Sequence, residues 1–159
     1  MIPRYRTILY ATDLTANAAH AFRHALALGR SHHARVHVLH VLPAIDAAVL
    51  NYVSTVMGEE RLADLELQHK QEVEEVMREQ LLAFARAELL DHPEELQRIA
   101  GFELHHGAPV AQILACADRL DADLIVVGSH GKGRLHYTFL GSVAEKLLRK
   151  TRRPVLVVP

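Results

Sequence analysis

The sequence predicts an α/β fold in which a parallel sheet is covered by helices on both faces. Strand-like and helix-like segments alternate along the chain, and no tight hairpin signal joins consecutive strand candidates. Two strand candidates, residues 124–127 (LIVV) and Val155–Val158 (VLVV), are continuous apolar runs, which is typical of strands buried on both sides. At 159 residues, the chain is expected to form a single domain over residues 1–159.

Each element follows from a local pattern. The longest helix candidate, residues 58–90, has apolar residues at three- and four-residue steps and stops before Pro93, because proline disfavours helix in its predecessor. Residues 43–57 are predicted either as a helix or as a mobile cover over a site. The remaining strand candidates are residues 6–11, 35–42 and 102–106, and the remaining helix candidates are residues 17–31, 109–120 and 142–150.

Composition excludes several classes of protein. The 18 basic and 19 acidic residues nearly cancel, which argues against a nucleic-acid-binding surface. No apolar run approaches the roughly 20 residues that span a bilayer. The apolar run near the N-terminus, residues 8–11, is shorter than the core of a signal peptide, about 7–15 residues. We therefore expect a cytoplasmic protein with no membrane insertion and no nucleic-acid partner.

A glycine-rich loop follows the LIVV strand candidate, and it carries the functional signal. In an open parallel sheet, ligands bind beyond the carboxyl ends of the strands. Backbone amides of a glycine-rich turn can converge on an anion, and the start of the next helix adds free N–H groups. The loop therefore predicts phosphate binding. Its contributors are Gly128, Gly131 and Gly141, the hydroxyl of Ser142, and the counter-charges Lys132 and Arg134.

Two general nucleotide motifs do not match. A Walker loop has four residues between its first glycine and Gly-Lys-Ser/Thr, whereas two residues separate Gly128 from Gly131. The first strand–helix connection, ATDLTANAAH, lacks the glycines of the dinucleotide fingerprint.

The start of the last helix has a second interpretation. Ser142-Val143-Ala144-Glu145 has the capping-box pattern, and Gly141 would then be a turn residue. We expect Ser142 to cap the helix, a role that does not exclude phosphate contact.

The loop resembles that of a known family. The spacing Gly128-x2-Gly131-x9-Gly141-Ser142 is similar at every position to the ATP-binding pattern of the universal stress protein family. DADLIVVGSHGKG, GSVAEKLLRKTRRPVLVVP and the strand ending in Ala11-Thr12-Asp13 also resemble that family, and residues 43–100 match it loosely. Family members without the glycine pattern do not bind ATP, so the resemblance implies the ATP-binding branch.

The resemblance implies a fold and a binding site. The fold is a five-stranded parallel sheet with helices on both faces, of the Rossmann-like, adenine nucleotide alpha hydrolase-like type. The cofactor is ATP, with Mg²⁺. Asp13, with Thr12 beside it, would face the adenosine, and Val41 would meet adenine through its backbone. Taken alone, Asp13 would be a turn carboxylate and Val41 a strand valine. Ribose and phosphates would be held by Gly128, Gly131, Gly141, Ser142 and Val143, and His130 would either contact phosphate or reflect the polarity of the loop.

The 12 histidines and the single cysteine raise the question of a metal site. Neighbouring histidines on a strand point to opposite faces, so such a pair cannot chelate, and the helical pair has no evident third ligand. We therefore expect surface or boundary histidines, no metal site, and Cys116 in or beside the core. The pairs are His32-His33, His105-His106, and His20 with His24.

The expected function is that of an ATP-binding regulatory protein of the stress response, acting as a nucleotide-dependent dimeric switch or adaptor for an unidentified protein partner. The enzyme alternative is a weak ATPase or phosphotransferase, but no general base is evident near the phosphates, so no catalytic residue is assigned. The structural alternative is a protein-interaction domain with a vestigial site.

The last strand predicts how the chain assembles. Val155–Val158 is wholly apolar and is expected at a sheet edge, where unpaired backbone groups invite another chain. Pairing with the same strand of a second copy closes on itself across a two-fold axis, and the resemblance also implies a homodimer through this strand. In the alternative, residues 43–57 fold over the edge and leave a monomer.

Overall fold

The structure, a computed structural model, describes residues 1–15, 17–44, 46–129 and 140–159. Its centre is one five-stranded sheet with the order β3-β2-β1-β4-β5, in which all neighbouring strands are parallel. The predicted five-stranded parallel sheet is confirmed. The strands are β1 (Thr7–Thr12), β2 (Arg35–Leu42), β3 (Ile99–His106), β4 (Leu124–Gly128) and β5 (Val155–Val158).

The helices fill the connections between the strands. Residues 47–57 form a helix, which is one of the two interpretations that the sequence left open, and this helix packs on the long helix after it. The helices are α1 (Ala18–His32), α2 (Ala47–Met57), α3 (Glu59–Glu88), α4 (Pro109–Arg119) and α5 (Ser142–Lys150), and a short 3-10 helix spans Pro93–Arg98.

The third strand is longer than predicted. It begins at Ile99, not at residue 102, and includes Gly101, which lies opposite His37 where the β2–β3 register is irregular. Glycine is depleted in strands because it brings no side chain to pack. The sequence pattern therefore did not reveal that β3 begins to pair with β2 before residue 102.

Two apolar layers cover the two faces of the sheet. On β1, Ile8 and Tyr10 pack in the layer with α1 and α3, whereas Leu9 packs in the layer with α4 and α5, because successive side chains of a strand alternate. All three side chains are completely buried. The expected helices on both faces are confirmed.

Helix α1 packs against the sheet at Gly29 without room for a side chain. A Cβ atom on Gly29 would be 2.9 Å from Cγ2 of Val36 in β2 and 3.0 Å from Cδ of Arg98. Any larger residue would force the helix away from the strand, so glycine sets this packing distance.

The connections position the ligand site. Strands β1 and β4 are neighbours, but β1 continues into α1 on one face and β4 continues towards α5 on the other. At such a switch point the two connections diverge and leave a crevice beyond the carboxyl ends of the strands. Within the described ranges, no helix is both long and apolar enough to cross a membrane.

Candidate functional site

A cavity of about 400 Å³ opens at the carboxyl ends of β1 and β4. Its volume is within the roughly 300–1,000 Å³ of small-molecule sites. The end of β2 and the first turns of α1, α4 and α5 complete its walls. The crevice expected at the switch point is therefore present.

Most of the predicted binding residues meet at this cavity, although they come from separate parts of the chain. Those that line it are Thr12, Asp13, Val41, Gly128, Gly141, Ser142 and Val143. His130 and Gly131, together with the proposed counter-charges Lys132 and Arg134, lie outside the described residues.

The turn between β1 and α1 is built by its own side chains. Oδ1 of Asp13 accepts hydrogen bonds from the Thr15 amide at 3.0 Å and the Thr15 hydroxyl at 2.6 Å, and the Thr12 hydroxyl accepts from the Leu14 amide at 3.0 Å. Leu14 has a φ of +59°, which a branched non-glycine residue rarely adopts. Such strained backbone is concentrated at ligand sites. Among the hydrogen bonds of the described residues, none uses Oδ2 of Asp13.

A histidine fixes the end of β1. Nδ1 of His40 lies 2.8 Å from the carbonyl oxygen of Thr12, and both residues are more than nine-tenths buried. A carbonyl can only accept, so Nδ1 carries the proton and donates it. The sequence reasoning missed His40, because its contact depends on the β1–β2 register that pairs it with Thr12.

A buried tyrosine anchors the first turn of α1. The Tyr10 hydroxyl donates to the carbonyl oxygen of Ala18 at 2.7 Å, and both residues line the cavity. Burial raises the pKa of the Tyr10 hydroxyl, so this group stays protonated and keeps donating.

Backbone hydrogen bonds hold the base of the β4–α5 connection. The Ser129 amide donates to the Val158 carbonyl at 2.7 Å, and the Gly141 amide donates to the Ser129 carbonyl at 2.6 Å. Gly141 is buried, so the residue before α5 is pressed against the end of the sheet. These bonds aim the first turn of α5 at the cavity.

The first turn of α5 offers backbone donors. The Glu145 amide bonds to the Gly141 carbonyl at 3.0 Å, which leaves the three preceding amides ahead of the helical ladder. They belong to cavity-lining residues, and the positive end of the helix dipole lies in the same place. A negatively charged ligand group suits this end of the cavity.

The prediction that Ser142 caps α5 is wrong. Gly141, which has no side chain to cap the helix, occupies the N-cap with an extended backbone (φ −61°, ψ 152°), and Ser142 is the first helical residue. Because Gly141 takes the cap position, Ser142 sits one place too late for a capping box. Its exposed hydroxyl therefore remains accessible to a ligand.

The sequence reasoning missed part of the lining. Ser129 could have been found, because it follows Gly128 at the same carboxyl edge. Thr15 had a weaker signal, the Asp-x-Thr spacing of a side-chain turn. Pro109 could not be placed, because its position depends on how α4 returns across the sheet. All three residues line the cavity.

The cavity combines apolar and polar walls. Leu39, Val41 and Ile113 form an apolar side, and the first turn of α5 forms a polar one. Among the described lining residues, Asp13 carries the single carboxylate. This arrangement can hold a flat apolar ring at one end and an anion at the other.

Known proteins resemble this chain over nearly its whole length. A sequence model of the Universal stress protein family matches residues 4–159. Universal stress protein MJ0577 of Methanocaldococcus jannaschii is 31% identical over 158 residues, which cover 97% of this chain and 94% of that protein. The solved structure of MJ0577 superposes with a TM-score of 0.67 at 28% identity and covers 98% of this chain and 96% of its own.

Two further solved structures share the fold. One is a universal stress protein in complex with cAMP, with a TM-score of 0.57 at 20% identity and coverage of 98% of both chains. The other is the universal stress protein from Archaeoglobus fulgidus in complex with dAMP, with a TM-score of 0.54 at 22% identity, covering 99% of this chain and 100% of that chain. The family match over residues 4–159, supported by the similarity to MJ0577, shows that this chain belongs to the universal stress protein family.

Proposed function

We propose that this protein is an ATP-binding regulator of the stress response, with the nucleotide bound in the cavity at the ends of β1 and β4. The observation that carries the proposal is the convergence of the predicted residues from β1, β2, β4 and α5 on one cavity of suitable size. The two family members solved with cAMP and dAMP hold adenine nucleotides, which supports the choice of adenine.

The walls suggest how ATP would lie. Adenine would occupy the apolar side beside Val41, where backbone groups at the end of β2 could read its edge. Asp13 would accept from adenosine hydroxyls through Oδ2, while Oδ1 stays in the turn with Thr15. The phosphates would lie at the first turn of α5, beside the backbone amides and the hydroxyl of Ser142.

Mg²⁺ suits the oxygen ligands at the phosphate end of the cavity. The ion prefers oxygen ligands and commonly keeps waters and substrate phosphates in its shell. The hydroxyl of Ser142 is such a ligand, and Ser142 lines the cavity at the first turn of α5, where the phosphates would lie. When bound with ATP, the ion would offset the negative charge of the phosphates.

We propose that the protein binds ATP and does not hydrolyse it. A hydrolase would need a base that positions water at the terminal phosphate. Asp13 is instead tied to the β1–α1 turn through Thr15, so we propose no catalytic residue.

We propose a single domain that acts in the cytoplasm as a homodimer through β5. The nucleotide state would then control the binding of a protein partner. The position of β5 at the sheet edge supports this pairing.

Thermal unfolding with and without ligand tests the nucleotide. A ligand that binds the native state alone stabilises it by RT ln(1 + [L]/Kd), about 2.7 kcal/mol at a hundredfold excess over Kd. For a chain of this size, that energy corresponds to a rise in Tm of roughly 5–11 °C. ATP with Mg²⁺ should produce such a rise and GTP a smaller one. Equal shifts would contradict the adenine assignment, and no shift with either would contradict nucleotide binding.

A further inference from the structure

Three side chains with metal-binding atoms meet on the sheet face beneath α4, outside the lining of the nucleotide cavity. Glu103 Oε2 lies 3.0 Å from His105 Nε2 and 3.2 Å from Cys116 Sγ, and the three ligand atoms all lie within 4.8 Å of one another. Glu103 and His105 are two residues apart on β3, so they share one face, and Cys116 approaches from α4.

These distances fit a tetrahedral ion. Zinc binds oxygen and nitrogen ligands at about 2.0–2.2 Å and sulfur at about 2.3 Å, so the ligands of one ion are about 3.3–3.8 Å apart. The separations from Glu103 to the other two ligand atoms are a few tenths of an ångström shorter than that, and the separation between His105 and Cys116 is at most 4.8 Å. Small outward movements of the side chains would admit the ion without a change of fold.

A positively charged side chain, Arg119, already lies beside two of these ligand atoms. The Arg119 guanidinium donates to Oε2 of Glu103 and lies 3.6 Å from Sγ of Cys116. Burial of the Glu103 carboxylate raises its pKa, but hydrogen bonds from His105, Cys116 and Arg119 outweigh this effect and hold the pKa below its usual value. The Arg119 side chain is 53% exposed, so it can move into solvent when a metal ion takes over its role.

The burial of the cluster is graded. Cys116 is 2% exposed, whereas the side chains of Glu103 and His105 are 18% and 33% exposed. The sulfur would bind from the interior, and the open side would admit the ion and a water ligand. His37 of β2 lies on the same face, and its buried Nδ1 has no hydrogen-bond partner among the described residues. A water held by the ion could reach this unsatisfied atom.

We propose that Glu103, His105 and Cys116 form a site for a divalent transition-metal ion of the Zn²⁺ class, with water as the fourth ligand. Mixed sulfur, nitrogen and oxygen donors select such ions over Mg²⁺, which prefers oxygen alone. The thiol would release its proton to solvent and bind as the thiolate. The bound ion would link β3, at one edge of the sheet, to α4.

Titration of the EDTA-treated, nucleotide-free full chain with Co²⁺ and Zn²⁺ tests the site. One Co²⁺ per chain should bind with a sulfur-to-metal charge-transfer band in the near-ultraviolet, Zn²⁺ should displace it, and Zn²⁺ should raise Tm. His105→Gln should weaken binding by at least about 10- to 100-fold, the loss typical of removing even an outer-shell partner. His106→Gln is the matched control and should bind as the unmodified chain does, because His106 points to the opposite face, 3.9 Å from Glu74.

Cys116→Ser should abolish the charge-transfer band. Because Cys116 is buried, this variant is informative only where circular dichroism shows that it is folded; His105→Gln, at a partly exposed position, keeps the proposal falsifiable in any case. Co²⁺ binding without a thiolate band in the unmodified chain would overturn the proposal. So would unchanged Zn²⁺ affinity in His105→Gln, or a loss of affinity in His106→Gln as large as in His105→Gln.

Discussion

The backbone amide of Gly141 donates to the carbonyl oxygen of Ser129 at 2.6 Å, which joins the start of α5 directly to the end of β4. The bond uses main-chain atoms alone. The orientation of the first turn of α5 therefore does not depend on the side chain of Ser142, and the hydroxyl can be removed without moving the helix.

Ser142→Ala should weaken ATP binding about 10- to 100-fold, because a hydrogen bond to a charged group contributes roughly 1.5–3 kcal/mol. The Tm of the ligand-free protein should stay nearly unchanged, since Ser142 is exposed and does not cap α5. Isothermal titration calorimetry measures the affinity. Ser31→Ala, at an exposed position near the far end of α1, is the control and should bind ATP normally. Full ATP affinity in a folded Ser142→Ala variant would exclude the phosphate contact.

Asp13→Asn should weaken binding of adenosine and of ATP by a similar factor, about tenfold. Asparagine keeps an oxygen that can accept from Thr15, so the β1–α1 turn should survive while the charge is lost. Loss of the Ser142 hydroxyl, by contrast, should weaken ATP binding and leave adenosine binding unchanged. Measuring both ligands therefore distinguishes the roles of the two residues. If Asp13→Asn reduced the affinity for ATP alone, Asp13 would lie near the phosphates and our orientation of the nucleotide would be reversed.

The stability of the fold should depend on pH through His37. Burial lowers the pKa of His37; the Glu103 charge opposes this effect, while Arg35 and Arg119 reinforce it. A histidine with a lowered pKa stabilises the fold fully above the pKa of the unfolded chain, about 6.5, and the contribution is lost as the pH falls towards the folded value. The unfolded chain binds the proton more tightly over that interval.

When the pH falls from 7.5 to mildly acidic values, His37→Leu should therefore lose less unfolding free energy than the unmodified chain. Urea unfolding in EDTA at both ends of this range measures it. His69→Leu, which removes an exposed histidine of α3, should keep the slope of the unmodified chain. Parallel curves for His37→Leu and the unmodified chain would show that His37 does not carry the pH dependence.

The fold was largely predictable because its strands are short apolar runs between helices, a pattern that survives without tertiary information. The positions of the cavity-lining residues at the strand ends were also predictable. Thr12 and Gly128 close neighbouring parallel strands, so their positions follow from the sheet alone.

Contacts that depend on register or helix docking were not predictable. The hydrogen bond from His40 to Thr12 needs the β1–β2 register, and the cap at Gly141 needs the local backbone angles. The two-residue spacing of Glu103 and His105 is visible in the sequence. The approach of Cys116 is not, because it depends on how α4 rotates against β3.

Strand β5 lies at one edge of the sheet. The carbonyls of Pro154 and Val158 accept from amides of β4 and its continuation, at 3.0 and 2.7 Å. Backbone groups alternate in direction along a parallel strand, so the amide of Val157 points away from β4. Proline at this position removes an outward-facing donor, and edge strands tolerate proline there. Val157→Pro should thus stay folded and lose the ability to pair with a second copy.

Light scattering coupled to size exclusion should show the unmodified chain at twice its 17.8 kDa and Val157→Pro at the single mass. Val157→Ala keeps the amide and trims the side chain, so it should remain a dimer if the strands pair through their backbones. A monomeric Val157→Ala would indicate a side-chain interface instead, whereas a dimeric Val157→Pro would place the interface elsewhere. An unmodified chain that is already monomeric at high micromolar concentration would rule out the β5 dimer. The apolar edge strand would then be stable in water without a second copy.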